Sequence, residues 1–330
     1  MNLPRRCDNT CQRELCKQCS ERTETVQQYI TMSTLNKHRW ANALFQYMFV
    51  HIYGKSHNLL VQTPPWVGEQ LLNIEPSPMT VKLLPFYERL RSTGQPYGPP
   101  VTEAIGHDFY GYGQYHTSYY QPYRKFIQDL LQPKPAVEDR LSDTAIGRLV
   151  FRSIGIMGDI IGIHLRRGDY GRLIHYITPV QWYLDWLEKN WERFEYPVLF
   201  IASEDRSLVD QFAKYNPRTA ESLGVDLRAE PLPTATYLDH DLEHPQPHLM
   251  DFFPDWYLLA HCQYLLIPNS TFSFTAAMLS RRLKRCYRSD LPTQQFHEID
   301  VWNTTPLSYD MAENYKHVPG VCLERNPPHW

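Results

Sequence analysis

The sequence predicts an α/β protein built on parallel sheet with helices on both faces. From residue 159 onward, short apolar runs alternate with amphipathic stretches in a repeated strand–loop–helix order. The chain has 330 residues, room for two domains of ordinary size. Hydrophobic residues make up 42% and aromatics 13%, enough for sizeable cores.

Residues 1–25 are polar and aperiodic and read as an appendage. YITMST (29–34) is a short β-like run, followed by the polar LNKHRW. In ANALFQYMFVHIYG, Ala41, Leu44, Phe45, Met48, Phe49 and Ile52 recur at helical spacing, with Gly54 as the expected cap. Residues 60–105 are proline-rich and give weak signals. GYGQYHTSYYQPYRKFIQDLL (111–131) reads as a strand running into a helix. The connector QPKPAVEDRLSD (132–143) marks the domain boundary, there or slightly beyond, giving domains at 26–150 and 151–330. DIIGIHL (159–165), PVLFIAS (197–203) and QYLLIP (263–268) read as strands. TPVQWYLDWLEKNW (178–191), EDRSLVDQFAKY (204–215), PDWYLLAHC (254–262) and STFSFTAAMLSRR (270–282) read as helices. Pro254 suits the first turn of its helix.

Lys plus Arg total 33 against 36 Asp plus Glu, a net charge of -3 that argues against a nucleic-acid partner. No apolar run approaches the roughly 18 residues of a membrane span. MNLPRRCDNT lacks the hydrophobic stretch of a signal peptide. The expectation is a soluble, cytoplasmic chain; a secretory-pathway lumen would require an anchor outside this sequence. Cys7, Cys11, Cys16 and Cys19 crowd together and suit a zinc site, two disulfides, or no role at all on a terminal tail. Cys262 and Cys286 sit in apolar surroundings and read as core fillers.

Chemistry concentrates in GIHLRRGDYG (162–171). Arg166 and Arg167 follow directly on a strand, at the edge where parallel sheets gather ligands. Guanidinium groups pair bidentately with phosphate. Adjacent side chains on extended backbone point to opposite faces, so one arginine reaches a ligand while the other braces the loop through Asp169 or a neighbouring carboxylate. A purely structural ion pair, or an exposed Arg167-Gly168-Asp169 adhesion sequence, are the alternatives. In IPNSTFSFTAAML (267–279), Ser270, Thr271 and Ser273 open an apolar helix, whose free N–H groups and hydroxyls suit an anion. Both features point to phosphate or diphosphate. Asp239-His240-Asp241, with His244 and His248, offers a cation site, although its proline-flanked polar surroundings suit a solvated loop.

HLRRGDY, IHYITPVQWY, FIASEDRSLV and DWYLLAHCQYLLIPNSTFSFTAAML, in that order, resemble the α-1,2-fucosyltransferase family and, more distantly, the α-1,6- and protein O-fucosyltransferases. GYGQYHTSYY fits the family's preceding block. The resemblance implies a GT-B architecture of two facing Rossmann-like domains. It also implies inverting, metal-independent transfer from GDP-fucose to a glycan acceptor, galactose O2 by family, with no cofactor beyond the donor substrate. Arg166 then matches the arginine on the donor diphosphate and Arg167 its neighbour. His164 and Asp255 match positions near the guanine nucleotide, and Ser270 and Thr271 the phosphate-contacting hydroxyls. Ser203, Glu204 and Asp205 stand where the family writes Ser-Asp-Asp.

The family's G-R-x-G-N-Q loop reads His38-Arg39-Trp40-Ala41-Asn42-Ala43, keeping Arg39 and Asn42 but losing both glycines, and its Trp-Trp reads Phe274-Thr275. Without glycine the loop must take ordinary dihedrals or move back. Arg166, with Arg39, would neutralise the departing diphosphate, and Asp169, His38 or Glu103 would serve as base. A metal-dependent nucleotide-sugar transferase using Asp239 and Asp241, and a non-catalytic glycan- or cell-binding protein, are the competing classes. Oligomeric state is not legible.

Overall fold

A computed structural model describes residues 27–141, 158–224 and 252–322. The cysteine group at 7–19, the Asp239–Asp241 loop and the stretch 142–150 at the expected boundary lie outside the described residues.

The N-terminal half forms a four-stranded sheet from β1 (Tyr29–Thr31), β2 (Leu60–Gln62), β3 (Leu84–Tyr87) and β4 (His107–Tyr110). All are parallel, in the order β2-β1-β4-β3. Helix α1 (Trp40–His57) follows β1 and is buried on most of its circumference, from Ala41 to Ile52. It runs past Gly54 and ends at Asn58, which is left-handed at φ 54°. Gly54 instead permits close packing on β2: a Cβ there would lie 2.5 Å from Val61 Cγ2. Short helices α2 (Gly68–Leu71), α3 (Arg124–Leu130) and α4 (Pro135–Leu141) complete this half.

The strand expected after residue 111 does not form, because β4 ends at Tyr110 and the chain turns. Gly113 has φ +63°, and the Glu88 carboxylate accepts from Tyr112 N (2.8 Å) and Gly113 N (3.2 Å). Those N–H groups are thereby withdrawn from any ladder, and two 3-10 turns lead into α3.

The C-terminal half carries β5 (Ile160–Leu165), α5 (Val180–Asn190), β6 (Val198–Ser203), α6 (Phe253–Leu259) and β7 (Tyr264–Ile267). It continues with α7 (Thr271–Leu279), β8 (Arg285–Asp290) and β9 (Gln295–Ile299). The five-stranded sheet has the order β6-β5-β7-β8-β9, parallel except for the antiparallel β8–β9 pair. Within the expected helix at 204–215, residues Arg206–Tyr215 wind as 3-10 turns. The buried pair Phe212 and Tyr215 are three apart, which a three-residue turn places on one face. Cys262 and Cys286 are buried free thiols, as expected of core fillers.

The halves share one core. Phe45 of α1 stacks on Phe274 of α7 at 6.3 Å, and Trp40 meets Phe253 and Trp256 of α6 edge-on at 5.5 and 5.2 Å. Two Rossmann-like sheets facing across this junction make a GT-B architecture. No helix among the described residues is long and apolar enough to cross a membrane.

Candidate active site

Chain order in the second sheet fixes where a ligand belongs. β5 is followed by β6 on one side, and β7 then returns to the other side of β5. The C-terminal ends of β5 and β7 therefore flank a topological switch point, the usual ligand crevice of open α/β sheets. The arginine loop leaves β5 at that edge, and Asn269, Ser270 and Thr271 leave β7 beside it.

Arg166 has a side chain only 13% exposed, and its two terminal nitrogens serve different carboxylates: Nη2 pairs with Asp169 and Nη1 with Glu204. Its guanidinium lies 4.8 Å from the centre of the Tyr170 ring. Asp169 Oδ2 accepts from Arg39 Nη1 at 3.0 Å, so one carboxylate ties an arginine from each half of the chain. Arg167 points elsewhere, bonding the Arg166 carbonyl at 2.8 Å, while its own N–H donates to Glu204 at 3.2 Å. Burial pulls the Arg167 pKa down, partly offset by Tyr183 and Asp205. With Asp169 engaged twice and Arg167 turned inward, Arg167-Gly168-Asp169 is not presented as an adhesion tip. The glutamate that departs from the family triplet thus has a defined contact.

At the other lip, Ser270 caps α7 by accepting from Phe272 N at 3.4 Å. Thr271 Oγ1 donates to Asn42 Oδ1 at 3.1 Å, and Gln114 Nε2 donates to the same oxygen at 2.9 Å. Asn42 sits in the first turn of α1, so the N-termini of α1 and α7 meet at the crevice. At the two positions without glycine, His38 is ordinary extended backbone (φ -115°) and Ala41 lies in the first turn of α1, so neither needs a left-handed conformation. The changed Phe274-Thr275 pair is also used, since Thr275 Oγ1 accepts from Trp256 Nε1 at 3.1 Å.

His164 is buried, with Nδ1 2.8 Å from Ser273 Oγ; burial first, then Arg166 and Arg167, keep it well below the ordinary histidine pKa and hence neutral. Ser203 Oγ bonds the Leu165 and Asp205 carbonyls at 3.3 and 3.0 Å, tying β6 to β5. Asp205 caps the following 3-10 segment through Ser207 N at 3.1 Å. Asp255 is buried at the start of α6 and meets Arg206 Nη2 at 3.3 Å, while its Oδ1 has no partner among the described residues. Burial pushes its pKa up to about 7, against the pull of Arg206.

That shift has a stability consequence. Between the unfolded value near 4 and about 7 the folded state holds the extra proton, so stability falls as pH rises through that window. Asp255→Asn should flatten this slope and leave the variant no less stable than wild type at pH 8, as read from melting temperatures across pH 4–8.

The crevice gathers Arg39, Asn42, Arg166, Asp169, Glu204, Ser270 and Thr271. Glu103 is not among them: it precedes β4, at the opposite sheet edge, and accepts from Val101 N and Thr102 N. Tyr170, His175 and Gln114 were not anticipated as site residues. An aromatic directly after an arginine loop is a cation–π signal that could have found Tyr170.

No protein-family model matches the sequence, and no curated protein matches it. Solved structures share its fold. NodZ α-1,6-fucosyltransferase soaked with GDP-fucose aligns at 12% identity and TM-score 0.51, covering 83% of this chain and 99% of that one. Fucosyltransferase NodZ from Bradyrhizobium aligns at 10% identity and TM-score 0.52, with the same coverage. A FUT1 mutant from Arabidopsis thaliana in complex with GDP gives 12% and 0.52 over 96% of this chain and 84% of that one. At these identities the likeness is one of fold.

Proposed function

We propose that the protein is a glycosyltransferase that moves L-fucose from GDP-β-L-fucose to a glycan hydroxyl, galactose O2, forming an α-1,2 linkage with inversion and without a metal. The supporting observation is the convergence of Arg166, Arg39 and the hydroxylated start of α7 on one switch-point crevice. That is diphosphate chemistry, in a fold shared with a fucosyltransferase soaked with GDP-fucose and another in complex with GDP. It also favours arginine neutralisation over the Asp239–Asp241 alternative.

In this reading the bond from the fucose anomeric carbon to the β-phosphate oxygen breaks while the acceptor oxygen bonds the opposite face. Charge grows on the diphosphate, and a prepositioned guanidinium stabilises it without reorganising. An arriving diphosphate competes with Asp169 and Glu204 for the Arg166 fork, so these carboxylates hold the arginine in aim beforehand. Both Asp169 oxygens are engaged by arginines, which makes it an orienting group rather than the base. His38 is the freer acceptor of the hydroxyl proton. Its ring packs on Tyr112 at 5.0 Å, it has no hydrogen-bond partner among the described residues, and burial and Lys37 lower its pKa so that it is neutral near pH 7.

The test is a screen of GDP- and UDP-sugars, then the best donor with galactose-terminated acceptors, with the anomeric coupling constant of the product giving its configuration and inter-residue carbon–proton correlations its linkage position. Transfer should persist in EDTA. Activity abolished by EDTA and restored by manganese would replace this reading with the metal-dependent one.

A further inference from the structure

His175 has no part in the mechanism above, yet it sits among the groups that perform it. The Tyr170 ring that carries the Arg166 guanidinium also meets the His175 ring, with centroids 5.0 Å apart. The Tyr170 hydroxyl donates to the Asn269 carbonyl at 3.2 Å, immediately before the cap of α7. One aromatic ring therefore joins the imidazole, the guanidinium and the start of the helix. A tight turn fixes the imidazole there, with Gly171 N donating to the His175 carbonyl at 2.6 Å and His175 N to the Arg172 carbonyl at 2.9 Å. Its Nδ1 is buried without a hydrogen-bond partner among the described residues. Covered by protein, Nδ1 cannot itself meet a ligand; Nε2 of the half-buried ring is neither sealed off nor, among the described residues, hydrogen-bonded, and it is the nitrogen left to reach one.

We propose that His175 is a further donor to the diphosphate of the sugar nucleotide, taking up a proton as the anion binds beside Arg166 and hydrogen-bonding it through departure of the leaving group. This rests on the GDP-sugar reading of the crevice. The proton comes from solvent on binding and returns when GDP leaves; no proton passes to the diphosphate. The charged and titratable groups acting on His175 are Asp169 and Arg166 on the loop after β5, with the Tyr170 ring packed against it, while Arg172 on its own turn meets it through backbone hydrogen bonds. Glu313 accepts from Leu173 N in that turn. In the free protein burial is the main cause of a lowered pKa, with Asp169 raising it and Arg166 lowering it. A diphosphate adds negative charge beside Arg166, which reverses the balance and favours the imidazolium.

The experiment is calorimetric GDP binding from pH 5.5 to 8.5, for wild type and His175→Gln, in two buffers of different ionisation heat. Wild type should take up protons that the variant does not, and GDP should weaken more steeply with rising pH, about tenfold for each pKa unit that binding adds. Titration of GDP itself cancels between the two proteins. Parallel affinity profiles and equal proton uptake overturn the proposal while leaving the crevice a GDP site. If neither protein binds GDP, the GDP-sugar reading fails and this assignment with it. Should the glutamine variant not fold, GDP-fucose without acceptor is titrated into wild type, since its diester diphosphate has no proton to lose near neutrality. The histidine ring resonances are followed in the same titration: a His175 signal that turns to imidazolium on binding supports the proposal, and one that stays neutral overturns it.

Discussion

Arg166→Lys will fold, bind GDP and turn over about 10²–10³-fold more slowly, the loss expected from removing one preorganised transition-state contact. The geometry explains why retained charge is not enough. Arg166 holds Asp169 with one terminal nitrogen and Glu204 with the other, while its guanidinium carbon lies over the Tyr170 ring at 4.8 Å. An ammonium has no planar fork and cannot span two carboxylates, or two phosphate oxygens, in one fixed plane. GDP affinity should weaken much less, because ground-state binding is shared with Ser270, Thr271 and the nucleotide contacts. The decisive pair of measurements is the GDP dissociation constant and kcat at saturating donor on one preparation. Near-wild-type turnover would reject the leaving-group role and return Arg166 to bracing its loop.

How much of this site was legible in the sequence follows from what each part depends on. The buried strands β5, β6 and β7 are near-continuous apolar runs, as strands covered on both faces must be, and they were readable. β3 and β9 were not, since each is an edge strand with mixed exposure, and β3 carries Pro85, tolerated only where a donor is not required. The segment at 204–215 has a face that both helix types satisfy, and spacing alone does not separate them. In the site, Arg166 and Ser270 announce themselves by following strands. The bond from Arg39 to Asp169 spans 130 positions and the one from Thr271 to Asn42 spans 229, so only the facing of the two sheets reveals them. Among the described residues His175 is the histidine that packs on Tyr170 with its Nδ1 buried and unpaired, neither of which sequence encodes locally.

Trp256→Ala will cost about 3–5 kcal/mol of stability, the range for truncating a buried aromatic. Its indole is 2% exposed and meets Trp40 and Phe253, with ring centroids at 5.2 and 5.6 Å. Two losses combine. Atoms lining the vacated space lose contacts that partial collapse cannot restore, and the Thr275 hydroxyl, fully buried, loses the N–H that donates to it at 3.1 Å. Trp256→Phe separates them, keeping most of the ring while removing the donor, and should cost about 1–3 kcal/mol. Because Trp40 belongs to α1 of one half and Trp256 to α6 of the other, the damage falls on the shared core rather than on one sheet. Urea unfolding followed by far-UV circular dichroism should therefore show one transition, moved as a whole to lower denaturant with its slope unchanged. A loss below about 1 kcal/mol would mean that the indole is not part of the packed junction. Two separated transitions, only one of them shifted, would mean that the halves unfold independently and that the aromatic cluster does not couple them.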